Sequence, residues 1–100
     1  MTTAQRSDAL PGVPTVAETV QGYEASAFFG MSAPKGTPAD IIDKLNNEIN
    51  AVLADAGMQA KLADLGGTPI PGSAAEFGQL IAAETEKWAD VIKRGGVSLE

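Results

Sequence analysis

The stretch PKGTPADIIDKLNNEINAVL, residues 34–53, decides the fold class because it contains a complete signal for a helix. Pro34 to Gly36 predict a turn, Thr37 is the expected N-cap and Pro38 the first helical position. Asp40 stands at the capping-box position, three residues after Thr37. The apolar residues then recur with helical period, at Ile41, Ile42, Leu45, Ile49, Val52, Leu53 and Ala56. We therefore expect an amphipathic helix of about five turns.

Two more helices are predicted after this one. Gly57 interrupts the apolar pattern, and a short helix follows that we expect to end at Gly66. A capping box formed by Ser73 and Glu76 opens the last helix. We expect that helix to run to about Arg94 on an apolar stripe made of Phe77, Leu80, Ile81, Trp88, Val91 and Ile92. The stripe predicts that the Trp88 indole is buried in the main core, against the helix of residues 41–53.

The stretch upstream, residues 23–33, alternates with the period of a strand. The odd-numbered side is mostly apolar and the even-numbered side mostly polar, with Phe28 as the exception. Gly30, next to two phenylalanines, indicates a bulge or a close approach of the backbone. A capping box at Thr15 and Glu18 predicts a short helix, and residues 2–5 a second short strand. The expected class is α+β, with three or four helices packed on one or two short strands.

Composition excludes several classes of function. Thirteen acidic residues against seven basic ones give a net charge of −6, which opposes binding to nucleic acid or to anionic membranes. No apolar run approaches the ~20 residues that span a bilayer. Residues 1–10 lack the apolar core of a signal peptide. One hundred residues suffice for a single domain or a fragment of one.

The residues of enzyme active sites are also missing. The chain has no cysteine and no histidine, so thiol nucleophiles, imidazole bases and the usual soft metal ligands are absent. No serine lies in a G-x-S-x-G context. Asp40 with Asp43, and Glu84 with Glu86, are the nearest acid pairs, and solvated helix faces explain them better than a cation site. We expect no enzyme, no metal and no cofactor.

Two features leave alternatives open. Glu84 is the polar residue on the apolar stripe of the last helix, one turn before Trp88. In one interpretation its carboxylate binds a ligand or a neighbouring element. In the other it accepts a hydrogen bond from the Trp88 indole or from a loop amide, and we favour this one. The aromatic residues of the strand either line a ligand cleft or belong to the core; the core is favoured for Phe29, while Phe28 is evenly balanced.

The motifs occur in a characteristic order along the whole chain. They are AQRS at residues 4–7, LPGVPTVAE at 10–18, GYE at 22–24, FFG at 28–30, APKGTP at 33–38, the helix of 41–53, and Gly66, Pro69, Gly72, Ser73, Glu76, Phe77, Ile81, Glu84, Trp88, Val91 and Ile92. As a set, this order resembles the Bug or TctC-like periplasmic solute receptors of tripartite tricarboxylate transporters. Phe28 departs from the family pattern, which has tryptophan at that position.

The resemblance covers only the C-terminal third of such receptors, which are two-domain, venus-flytrap proteins. It implies that residues 1–22 end the second domain, residues 23–33 form a crossing strand, and residues 34–100 complete the first domain with helices. We therefore interpret the chain as a truncated gene product or a cloned fragment. Because the chain lacks the other strands of such a receptor, the edge of residues 23–33 is left unpaired, and we expect the fragment to self-associate.

The resemblance also implies a function. Such a receptor is periplasmic, closes around a small carboxylated solute and presents it to membrane permease subunits. The ligand-binding residues that it implies here are Phe28, Gly30 and Arg6. The alternative from a different class is a stand-alone helical interaction module that binds no ligand.

Overall fold

The computed structural model describes residues 1–99, and within them it is all-helical. A one-turn 3₁₀ helix, Val16–Glu18, precedes three α-helices. These are α1 (Ala39–Ala54), α2 (Ala56–Asp64) and α3 (Ala74–Gly95). The described residues contain no strand, so the predicted α+β class is wrong. Glu100, the last residue of the predicted helical part, lies outside the described residues.

The two predicted strands are absent for different reasons. Residues 23–33 run without a turn or a sharp bend, as the alternation predicts, but no neighbouring chain pairs with them. Their backbone hydrogen bonds within the described chain are Tyr23 N–H to Val20 O and Ala25 N–H to Thr2 O, at 3.1 and 2.9 Å. Residues 3–5 are bends. A strand is defined by its ladder of hydrogen bonds, and alternation alone does not supply the partner.

Helix α1 forms where the periodicity predicts it, but its start differs from the expected capping box. The Thr37 hydroxyl donates to Pro34 O at 2.8 Å, and the Thr37 amide donates to the same oxygen at 3.2 Å. Thr37 therefore closes the preceding turn, and Pro38 takes the N-cap position without a side-chain cap. The first amides of α1 carry no side-chain cap among the described residues.

A single residue, Asp55, separates helix α2 from helix α1. The Asp55 side chain accepts a hydrogen bond from Met58 N–H at 2.9 Å and so caps the new helix. Asp55 itself is extended, with φ −69° and ψ 128°, which breaks the helical path between α1 and α2. Gly66 follows with φ 75°, a conformation that glycine adopts readily after a helix.

Helix α3 matches its prediction at both ends. Ser73 accepts from Glu76 N–H at 3.1 Å, and the Glu76 carboxylate accepts from Ser73 N–H at 2.7 Å. Gly96 ends the helix in the left-handed region with φ 63°. Lys93 and Arg94 lie in the last turn, where cations are favoured.

A polar junction joins α1 to the start of α3. Asn50 donates its amide to Gly72 O at 2.8 Å and accepts from Gly72 N–H at 3.2 Å. Asn46 donates to the same carbonyl at 3.0 Å. Because Gly72 directly precedes the N-cap Ser73, these bonds fix where α3 begins relative to α1.

The helices do not enclose an apolar core. Within the described residues no apolar side chain is buried, and the buried polar residue is Thr15, 4% exposed. The radius of gyration is 16.5 Å, against about 13 Å for a compact chain of this length. The accessible surface is 8192 Å², whereas a compact protein of 10.2 kDa exposes about 5,300 Å². Large apolar side chains are thus left exposed on α1 and α3, among them Ile41, Val52, Ile81 and Ile92.

The predicted burial of Trp88 is wrong for this reason. Its side chain is 37% exposed, because α1 and α3 touch over too short a length to cover the whole stripe. The indole N–H donates to Glu84 Oε2 at 2.8 Å, and the Lys87 ammonium lies 5.5 Å from the ring centroid. The interpretation of Glu84 as the hydrogen-bond partner of the indole is confirmed.

None of the described helices combines the length and the hydrophobicity that a membrane crossing requires.

Candidate functional site

Arg6, one of the three predicted ligand-binding residues, is engaged by a carboxylate of the chain itself. Its Nε donates to Glu18 Oε1 at 2.7 Å and its Nη2 to Glu18 Oε2 at 2.6 Å. This two-pronged geometry is the one that a guanidinium uses to bind a carboxylate ligand. A weaker third contact, at 3.4 Å, joins Nη1 to Pro11 O.

Glu18 therefore has two roles. The same Oε1 that binds Arg6 accepts a hydrogen bond from Thr15 N–H at 3.1 Å, as the capping box predicts. The hydrogen bond from Arg6, followed by the one from the Thr15 backbone, lowers the pKa of Glu18 from 4.5 to about 2. The Glu18 carboxylate likewise raises the pKa of Arg6. This group of Arg6, Glu18 and Thr15, the N-terminal clasp, stays fully charged across the physiological range.

Phe28 and Gly30 meet at a different place, on Phe77 of α3. The rings of Phe28 and Phe77 are edge to face, with centroids 6.0 Å apart and an interplanar angle of 86°. A Cβ atom at Gly30 would collide with Phe77 Cζ, so the ring covers the glycine backbone directly. We call these three residues the Phe77 contact.

The Phe77 contact explains the close approach that Gly30 predicts. It attaches the segment of residues 23–33 to the first turn of α3, whose position is set by Ser73 and Gly72. It is an apolar packing contact, and none of its side chains offers a charge or a hydrogen bond to a carboxylate.

The structure thus brings two of the predicted residues together and places the third in another cluster. Whether any of the three binds a ligand stays a prediction. An open groove of about 430 Å³ is lined by other residues, namely Asn50, Leu53, Ala54, Gln59, Pro69 and Pro71. A smaller groove of about 180 Å³ lies between residues 7–9 and the end of α2.

Sequence reasoning missed the partners of both clusters. Glu18 was recognisable as a capping residue, but its pairing with Arg6 spans a twelve-residue separation that no local pattern encodes. Phe77 was recognisable as part of the α3 stripe. The glycine directly after two phenylalanines signalled that something packs at Gly30, without indicating what.

No group of three acidic side chains converges closely enough to hold a metal ion within residues 1–99. The second arginine, Arg94, is paired with Asp90 at 2.9 Å, one turn earlier on α3. Both arginines of the chain therefore already have carboxylate partners.

Comparison with known proteins supplies the family. Residues 1–97 match the model of the tripartite tricarboxylate transporter family receptor, TctC. Protein BugT of Bordetella pertussis is 37% identical over 100 residues, which is 97% of this chain and 30% of BugT. A protein of Agrobacterium vitis from the ttuE–ttuC′ intergenic region is 38% identical over 96% of this chain and 29% of its own length.

A solved structure agrees with these relatives. The protein described as R. palustris Rpa4515 with adipate superposes with a TM-score of 0.83 and 37% identity, over 97% of this chain and 33% of that one. The chain therefore spans about a third of the length of the proteins that it matches. A receptor family also confirms the expectation that the chain is not an enzyme. The chain belongs to the TctC family of tripartite tricarboxylate transporter receptors.

Proposed function

We propose that this chain is one part of an extracytoplasmic receptor that binds a small carboxylated solute for a tripartite tricarboxylate-type transporter. The observation that carries the proposal is the likeness to the R. palustris protein with adipate, a dicarboxylate. The likeness covers 97% of the chain at 37% identity, which is high enough for more than the fold to be shared.

Within that receptor, the three parts of the chain take different places. Residues 1–22 contribute to the second domain, residues 23–33 cross between the domains, and the helical part from residue 34 completes the first domain. Two contacts support this division. Ala25 is bonded to Thr2 in the N-terminal part, and Phe28 is packed on Phe77 in the helical part.

The ligand site in this proposal is shared with polypeptide outside this chain. Arg6 has the chemistry for a carboxylate, but its donors already hold Glu18 at 2.6 and 2.7 Å. A solute that binds Arg6 therefore has to displace or share the Glu18 carboxylate. Phe28 and Gly30 contribute shape beside the crossing segment rather than charge.

We therefore expect the chain alone to bind carboxylates weakly. Both arginines are paired, and the net charge of −6 repels anions. Dissociation constants no tighter than millimolar are expected, equivalent to about −4 kcal/mol. Amide shifts of the labelled chain during titration with adipate or citrate measure this directly; saturation at micromolar concentration would contradict it.

The remaining features of the proposal follow from the receptor's place in transport. The receptor acts in the periplasm and delivers its solute to membrane permease subunits. A stand-alone helical module has no comparable support, because the family match extends over residues 1–97 rather than over the helices alone.

A chimera tests the proposal. Residues 1–97 of this chain replace the matching third of the R. palustris protein, and adipate binding is measured by calorimetry. We expect a dissociation constant within about tenfold of the parent, or about 1.4 kcal/mol. A folded chimera that no longer binds adipate would contradict the proposal.

The two arginines provide matched variants in the same chimera. Arg6→Met is expected to weaken adipate binding at least about tenfold, whereas Arg94→Met, which also breaks an exposed ion pair, leaves binding unchanged. Glu18→Gln separates the two roles of Arg6 because it loosens the N-terminal clasp and keeps the guanidinium. Equal effects of Arg6→Met and Arg94→Met would remove Arg6 from the site.

A further inference from the structure

The start of α3 is held from two sides. On one side the Asn50 side chain of α1 binds the Gly72 backbone, and on the other the Phe77 ring packs on Phe28 and Gly30. We propose that Asn50 is a positioning residue for the ligand site, because it sets, through the first turn of α3, where Phe28 and Gly30 lie. The inference rests on the proposed receptor function, which assigns these two residues to the site.

The first link, from Asn50 to Gly72, fixes an orientation as well as a position. The Asn50 amide donates to Gly72 O at 2.8 Å and accepts from Gly72 N–H at 3.2 Å. Because the two bonds leave from different atoms of one planar amide, they restrain rotation of the Gly72 backbone. Asn46, one turn earlier on α1, donates to the same carbonyl at 3.0 Å and supports this arrangement.

The second link is the capped first turn of α3. Ser73 directly follows Gly72 and exchanges two hydrogen bonds with Glu76, at 3.1 and 2.7 Å. The Phe77 amide donates to Ser73 O at 3.1 Å and closes the first turn. Rigid elements of this kind carry displacements between sites, so a shift of Gly72 is expected to reach Phe77.

The third link is the packing of the Phe77 ring on the crossing segment. The ring meets Phe28 edge to face with centroids 6.0 Å apart, and a Cβ atom at Gly30 would collide with it. Both side chains of the aromatic pair are half-buried. Because such a contact leaves no room for the ring to approach further, Phe28 and Gly30 are expected to follow a movement of the first turn.

A purely structural role of Asn50 predicts a different result. If its hydrogen bonds only stabilise the packing of α1 on α3, their loss reduces the fraction of folded molecules. The number of binding sites found by calorimetry then falls, while the affinity of the molecules that remain folded is unchanged. A positioning role changes that affinity itself.

Proton NMR of the full chain tests the relay without a ligand. The Phe77 ring lies against Gly30, so its ring current is expected to displace the Gly30 Hα signals from the values of an exposed glycine. Asn50→Ala is expected to lose most of this displacement, whereas the matched variant Asn47→Ala, on the exposed face of α1, keeps it. An Asn50→Ala chain that retains both its helical circular dichroism and the full displacement would overturn the proposal.

A milder variant covers the case in which Asn50→Ala does not fold. Asn46→Ala removes one hydrogen bond to Gly72 O and keeps the pair of bonds made by Asn50. We expect a smaller loss of the Gly30 displacement in the same direction. A folded Asn46→Ala chain with an unchanged Gly30 signal, beside an unfolded Asn50→Ala chain, would overturn the proposal.

Adipate binding by the chimera with the R. palustris protein tests the consequence for the site. Asn50→Ala is expected to raise the dissociation constant about 3–30-fold, whereas Asn47→Ala leaves it unchanged. An unchanged dissociation constant in a folded Asn50→Ala chimera would overturn the positioning role. A parent chimera that folds but binds no adipate would instead contradict the proposed function, so the two failures are distinguishable.

Discussion

Helices α1 to α3 and the segment of residues 23–33 differ in where their backbone hydrogen bonds go. The helices form theirs internally. At the starts of α2 and α3, the Asp55 and Ser73 side chains accept hydrogen bonds from first-turn amides that have no partner within the helix. The segment leaves residues 26–33 without a backbone partner in the described chain. Local sequence is therefore sufficient for the helices, while the segment needs a second chain or a further part of a receptor to become a strand.

Substitution of Gly30, where residues 23–33 attach to α3, is expected to cause the largest loss of stability. Gly30→Ala places a methyl group where the Phe77 ring lies, so the ring has to turn away and loses its contact with Phe28. We expect a loss of about 1–3 kcal/mol in the free energy of unfolding, measured with urea.

Gly78→Ala is the matched control for that variant. Gly78 lies within α3, and an added Cβ there meets no atom within 4 Å. The same chemical change is expected to stabilise the chain by about 0.5–1 kcal/mol because alanine favours the helix. If both variants shifted stability in the same direction, the Phe77 contact would have no energetic role.

Substitution of Asn50, in the junction between α1 and α3, is expected to cause the next largest loss of stability. Asn50→Ala removes its two hydrogen bonds with the half-buried Gly72; Asn46 still donates to the Gly72 carbonyl, but the Gly72 N–H loses its acceptor. The expected destabilisation is about 1–3 kcal/mol. Asn47→Ala, on the exposed face of the same helix, is expected to change stability by less than about 0.5 kcal/mol. Equal urea midpoints for the two variants would show that the junction contributes nothing.

The N-cap of α3 gives a smaller effect. Ser73→Ala removes the oxygen that accepts from Glu76 N–H, and a loss of about 1 kcal/mol is expected. Ser32→Ala serves as the control, since Ser32 makes no side-chain hydrogen bond in the described chain and lies in the segment. Helical circular dichroism during thermal unfolding distinguishes the two, and a cap without effect would leave their melting curves superimposed.

These effects clarify which features the sequence predicted and which it did not. The caps at Thr15 and Ser73 and the periodicity of α1 are local, and they agree with the structure. The Thr37 cap failed because the helix begins one residue later than predicted, at Ala39, and the Thr37 hydroxyl instead donates back to Pro34 O inside the turn. The strand and the burial of Trp88 failed because both require surfaces that residues 1–99 do not contain.

In the candidate site, too, local features were predictable and contacts between distant parts of the chain were not. Gly30 correctly signalled a close approach, but its partner Phe77 lies forty-seven residues further along the chain and is identified only by the fold. Arg6 was selected because a guanidinium suits a carboxylate, and the structure places the Glu18 carboxylate there. The chemistry was predictable from the residue type, whereas the identity of its partner was not.

The N-terminal clasp gives the smallest effect, and it depends on pH. The pKa of Glu18 is lowered to about 2, so the stabilisation is fully present above the ordinary value of 4.5 and is lost as the pH falls toward 2. The titration of the Glu18 carboxyl carbon, followed by NMR, is expected to have its midpoint near 2. In Arg6→Met the midpoint is expected to move up toward 4.5; a wild-type midpoint already at that value would mean that the clasp does not form in solution.

Residue-resolved amide hydrogen exchange of the dilute chain tests the central contrast most directly. At concentrations where the chain is monomeric, we expect measurable protection in the middle of α1 and α3 and none from Ser26 to Ala33, except where an amide lies under the Phe77 ring. Protection along alternate residues of 26–33 in the dilute monomer would contradict the account, because it would require a strand partner within the chain itself.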